Sequence, residues 1–183
     1  MARRMATLKA RLAAAALALL VALGAVYWLA LRQGTASPRV IVPRLAATIG
    51  SGSSAIGVTA GGAVVRWLPL PDDPPLPRLP LSEPPKSGRL RGPALEQVRV
   101  LAAAPDPLRP YLEGSYYGES GVDVGLSDGI ELRFGDASQV ARKWRAASAV
   151  LADPQVTALD YVDLRAPSRP SFGGSGHELP APP

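Results

Sequence analysis

The sequence predicts an α+β fold: a single transmembrane helix followed by a mostly antiparallel β domain with two packed helices. Three observations carry this. Residues 12–31 run for twenty residues without a charge. From Val122 to Phe134 apolar residues alternate on both sides of Asp128-Gly129, the pattern of a β-hairpin. Two further stretches repeat their apolar residues every three or four positions, the period of a helix.

The apolar run, Leu12 to Leu31, spans about 30 Å as a helix, the thickness of a bilayer's hydrocarbon core. Tyr27 and Trp28 stand near its outer end, where amphipathic rings favour the interface. Arg3, Arg4, Lys9 and Arg11 precede it and favour a cytoplasmic N-terminus, 1–11. A cleaved signal peptide is the other reading. The run exceeds the usual apolar core of such signals, about 7–15 residues, and this favours a retained anchor. Residues 32–43 read as a linker, 44–171 as the extracytoplasmic domain, and 172–183 as a disordered tail too poor in apolar residues to be ordered.

Within the domain, Val40 to Ile49 reads as a strand, with Pro43 marking an edge or bulge. Gly50 to Ala55 matches the letters of a dinucleotide loop. No helix follows to hold a pyrophosphate, so a flexible loop is the better reading. Ile56 to Leu68 is hairpin-like, turning at Gly61-Gly62. Pro69 to Pro85 is proline-dense, either a ligand for a proline-binding groove or, preferably, a stiff connector. The spacing of Leu76, Leu79 and Leu81 places part of it against the core. Gly92-Pro93 opens a helix with Leu95, Val98, Leu101 and Ala102 on one face. Pro105 closes it, 107–112 reads as a turn, and Gly114 to Gly121 as a loop entering a strand. Asp136 reads as an N-cap with Gln139 completing a capping box. The helix then buries Val140, Trp144, Ala147 and Leu151. Asp153-Pro154 stops it, and Leu159 to Arg165 is the last strand. Val162 and Leu164 point to one face, and Tyr161, Asp163 and Arg165 to the other.

Composition narrows function by exclusion. The chain has no cysteine, hence no disulfide or thiolate chemistry, and one histidine, His177. Setting aside the four basic residues before the apolar run leaves 16 basic against 15 acidic, with no clustered excess to track phosphates. Nucleic acid and small-molecule substrates are therefore not expected partners. No metal or cofactor motif is present. The one enzyme class suited to the compartment is glycan cleavage by paired carboxylates, with Glu113, Glu119, Asp123 and Asp128 near loops. Solvated turn residues are the plainer reading of all four. A glycan-binding or glycan-cleaving envelope domain is the alternative function.

The order LRFGD (132–136), basic amphipathic helix, then YVDLRAPSRP (161–170) resembles the end of the extracytoplasmic domain of FtsQ/DivIB proteins. These are bacterial division proteins with one membrane span. The resemblance covers about 44–171, with the anchor in kind, and implies an FtsQ/DivIB β-domain-like fold without enzymatic activity or cofactor. It further implies a type II single-pass protein of the cell membrane, at the division septum. There it would act as a divisome scaffold binding FtsB/FtsL-like single-span partners to support septum formation. In the family the last strand region offers an edge to a strand from FtsB. Carried over, this makes Tyr161, Val162, Asp163, Leu164, Arg165 and Ala166 the expected partner-binding residues. Arg165 falls on the arginine of the family's VDLR motif, which in some members faces a partner carboxylate. An internal ion pair with Asp163 or Asp160 is the other reading. Ala166 stands where some relatives carry an aromatic anchor. The family's POTRA module, about 70 residues and a compact unit of its own, has no room between Arg32 and Pro43.

Overall fold

The computed structural model describes residues 43–179. The expected basic tail, membrane helix and most of the linker lie outside the described residues. Among those described, no helix is long and apolar enough to cross a membrane.

The fold is mixed α+β. Strands β1 (Leu45–Ile49), β2 (Ile56–Thr59) and β3 (Val64–Val65) form one antiparallel sheet. Helix α1 (Gly92–Ala102) and a 3-10 turn (Asp106–Tyr111) lead into β4 (Leu112–Gly118), β5 (Gly121–Leu126) and β6 (Glu131–Gly135). Helix α2 (Val140–Leu151) then crosses over to β7 (Tyr161–Asp163), parallel to β6. A final strand, β8 (Ser171–Gly173), returns antiparallel to β7. The second sheet has the order β4-β5-β6-β7-β8.

The proline-dense connector joins the two sheets, and part of it meets the core, as its leucine spacing suggested. Thr48 N donates to Pro77 O (2.9 Å) and Leu79 N to Thr48 O (2.9 Å). On the other side Arg78 N donates to Glu113 O (3.0 Å) and Ser115 N to Arg78 O (3.1 Å). Arg78 is thus bridged in parallel to both β1 and β4. Prolines lack the N–H of a regular ladder, yet the arginine and leucine between them supply enough donors to stitch the sheets. Leu79 is buried beneath this seam.

Both helices pack on one face. Alternation puts Val122, Val124, Leu126, Leu132, Phe134, Val162 and Leu164 in the core with Val98, Leu101, Trp144, Ala147 and Val150. Trp144 is the keystone: its ring lies 4.8 Å from Phe134, and its Nε1–H donates to Val100 O of α1 (2.9 Å). The Asp128-Gly129 hairpin turn is as read, with Gly129 at φ +92° and Ile130 N bonded to Asp128 Oδ1 (3.2 Å).

Several expectations are corrected. The stretch from Gly114 is strand rather than loop, since β4 already begins at Leu112. Asp136 does not cap α2. Its carboxylate accepts from Ser138 N (3.0 Å) and from Lys143 Nζ (2.6 Å), and the helix starts behind Gln139, which sits in the left-handed region at φ +49°. The helix buries Lys143 and Val150, whereas Leu151 is half-buried. Within the expected disordered tail, 172–183, residues 172–179 are held in place, while 180–183 lie outside the described residues. Phe172 and Gly173 belong to β8, Leu159 N donates to His177 O (3.0 Å), and Leu179 N donates to Thr157 O (2.9 Å). Composition misjudged this segment because a strand added to an existing edge is held by main-chain bonds. It needs few apolar side chains of its own; here Leu179 packs against the core.

Candidate partner-binding edge

Of the residues expected to form the open edge, Tyr161–Asp163 is β7, and β7 is an interior strand. β6 pairs with it on one side and β8 on the other. The expectation that its main chain awaits a partner is therefore corrected. Val162 and Leu164 are fully buried, and Leu164 N donates to Arg133 O (2.9 Å). Arg165 and Ala166 follow at the end of the strand and are exposed.

The edge lies one strand further out. β8 ends the sheet order, and no strand among the described residues pairs with its other side. The opposite margin is closed, for β3 is covered by 88–90 through Val64 N to Gly88 O (3.0 Å) and Leu90 N to Gly62 O (2.8 Å). Unpaired edges attract other chains. On β8, Phe172 stands opposite Val162 and so shares the helix-bearing face, but it is 47% exposed. Ser171 and Gly173 present small groups on the other face.

That other face carries no covering layer among the described residues. It is a polar lattice built by strand register: Tyr116 opposite Asp123, Asp123 opposite Arg133, Arg133 opposite Asp163. The Tyr116 hydroxyl and Arg133 Nε both donate to Glu131. Burial first, then the Glu131 bond, push the Tyr116 phenol above its usual range. The Arg133 guanidinium also lies 4.1 Å over the Tyr161 ring, a cation–π contact. Arg165 grips Asp163 with Nε (3.0 Å to each oxygen) and Nη2 (2.5 Å to Oδ2). Of the two readings of Arg165, the internal ion pair with Asp163 is the one present in the isolated chain. These bonds hold the Asp163 carboxyl below its usual range. The arginine side chain remains half-exposed.

The four loop carboxylates are not brought together. Glu119 lies in the turn before β5 and Asp128 in the turn after it, while Glu113 is exposed on β4. Asp123 alone is buried. His177 rests on Gly129, close enough that a Cβ there would lie 2.3 Å from the imidazole Cε1. No group of three or more histidines and carboxylates among the described residues could hold a metal ion.

Sequence reading missed β8 and the lattice. The signal for β8 was slight: one aromatic, Phe172, placed a hairpin's length after β7. The lattice was partly visible, because alternation already set Glu131 and Arg133 on the face opposite the core.

Among the described residues the molecule is thus an α+β domain with helices on one sheet face, a bare polar face and one strand, β8, without an outer neighbour. The family model described as Cell division protein FtsQ/DivIB, C-terminal, matches residues 42–165, from β1 to the end of β7. The chain belongs to the FtsQ/DivIB family, a non-enzymatic family of cell-division proteins, as its VDLR strand suggested. No curated protein matches the chain in sequence comparison. Strand β8 lies beyond the matched residues.

Proposed function

We propose that the protein is a membrane-anchored, non-enzymatic scaffold of the division machinery at the septum. It binds FtsB/FtsL-like single-span partners by accepting a partner strand on β8. Family membership supports the division role, and the charge-free run 12–31 supports the anchor. The observation that carries the docking mode is that no strand among the described residues pairs with the outer side of β8.

A three-residue strand offers few main-chain bonds, so side chains must supply much of the affinity. Phe172 is the apolar anchor; a partner strand in register sets an apolar residue beside it on the helix side. On the other face Tyr161, Asp163 and Arg165 form the rim, with exposed Ala166 just past the strand's end and the Arg165 fork placed to take a partner carboxylate. Val162 and Leu164 hold that rim from beneath. Phe172→Asp removes the anchor from an exposed site without opening the core. Co-purification of division partners from membranes is expected to fall at least about tenfold, the effect of losing a small hot spot. Undiminished capture by a folded Phe172→Asp protein overturns the docking mode.

A further inference from the structure

On the bare sheet face three carboxylates share two guanidiniums. Glu131 takes Arg133, and Asp163 takes Arg165. Asp123 takes neither. Its side chain is 7% exposed, and Oδ1 is the one buried side-chain polar atom among the described residues without a hydrogen-bond partner. Such an atom calls for a physical account. The groups facing it are Tyr116 from β4, Glu131 and Arg133 from β6, Asp163 from β7 and Arg165 just after β7. Burial and the Glu131 charge disfavour its ionised form, while Arg133 and Arg165 favour it.

The two arginines are not equally free to answer an added charge. Arg133 is fixed between Glu131 and the Tyr161 ring. The Arg165 side chain is 52% exposed, and beyond Asp163 its guanidinium has only a 3.3 Å bond to Ser120 Oγ. Gly135, next to its aliphatic stem, leaves room to swing: a Cβ there would lie 3.0 Å from Arg165 Cγ.

We propose that Asp123 is a proton-linked positioning residue for Arg165. With its proton, Asp123 leaves Arg165 locked on Asp163 at the end of β7. On losing that proton to solvent, it competes with Asp163 for the guanidinium and draws it inward over β5. The consequence for partner binding rests on the docking mode proposed above. Raising the pH through the Asp123 transition withdraws Arg165 from the rim beside β8, and capture weakens.

The test needs no partner, so its failure and that of the docking mode are distinguishable. The full chain in detergent micelles, labelled with 13C-aspartate and 15N-arginine, is titrated by NMR from about pH 4 to about pH 8, across and above the ordinary carboxylate range. The Asp123 Cγ midpoint is expected above that range, with the Arg165 Nε resonance stepping at the same midpoint. In Asp123→Asn that step disappears, and in Asp123→Glu it returns. An Arg165 resonance that stays flat through the Asp123 transition in the native chain overturns the proposal, whatever the variants do. So does a step that persists in Asp123→Asn.

Discussion

Replacing Lys143 with methionine tests the corner where β6 turns into α2, the joint that sets the sheet against its helices. The lysine is 3% exposed, and its ammonium donates to Phe134 O (2.8 Å), Asp136 O (3.0 Å) and Asp136 Oδ1 (2.6 Å). Methionine keeps most of the stem's packing and deletes all three donors. Hydrogen bonds to charged groups contribute about 1.5–3 kcal/mol each, and a buried carbonyl left unpaired costs a similar amount. Against this stands the desolvation of the ammonium, which the variant no longer bears. The net loss expected is about 2–4 kcal/mol, or about 1–2 M off the urea midpoint. The variant also has a pH signature. Lys143 first, and Ser138 second, hold the Asp136 carboxyl at about 2, against 3.8. Without solvent screening that depression amounts to about 2.5 kcal/mol. The carboxylate is 63% exposed, so solvent screening reduces the figure to about 1 kcal/mol. A depressed carboxylate stabilises the fold above 3.8, and that stabilisation is lost as pH falls toward 2. Urea denaturation of the purified protein at several pH values reads both effects. A midpoint unchanged at neutral pH, or an equally steep acid loss in Lys143→Met, refutes the reasoning.

Other variants probe other parts of the account. Trp144→Phe keeps a ring against Phe134 but removes the indole donor from Val100 O, which retains Ala103 N at 3.2 Å. A loss of about 1 kcal/mol, that of one hydrogen bond, is expected in chemical denaturation. Gly121→Ala places a Cβ 1.9 Å from Gly135 O at φ +105°; the β4–β5 turn must shift, and a fall of more than about 3 kcal/mol or failure to fold is expected. Asp123→Asn works in the opposite direction. Because the folded state raises the Asp123 pKa, the native side chain costs stability as pH rises through its transition. The variant carries no charge to bury and is therefore expected to be more stable than the native chain at pH 7. At about pH 4 the two should be closely matched, as thermal unfolding at the two pH values would show.

Much of the fold was legible because its strands and helices bury one face each. Val122, Val124 and Leu126 alternate toward the core, and Asp128-Gly129 supplies the turn, so that hairpin announced itself. Trp144 and Ala147 did the same for α2. Less legible were features that depend on main-chain partners far away in sequence. The connector residue Arg78 bonds on both sides only because Thr48 and Glu113 arrive there. β8 exists only because β7 offers it a ladder. The start of α2 was misread since Asp136 and Gln139 fit a capping pattern in letters, while the buried ammonium of Lys143 claims the same carboxylate. At the candidate site, the VDLR strand lies beside the end of the sheet that β8 closes. Which strand is outermost could not be read from 161–166 alone, because it is decided by residues beyond Pro170.

The central claim, that partners dock on β8 and not on β7, is tested most directly by site-specific photocrosslinking in dividing cells. Photoreactive residues are placed singly at Ser171, Phe172, Gly173 and Arg165, with Arg142 and Arg145 on the exposed side of α2 as comparators. The account predicts crosslinks to single-span division proteins from the three β8 positions and Arg165, and none from α2. Partner crosslinks confined to Arg142 and Arg145, with β8 silent, would contradict it.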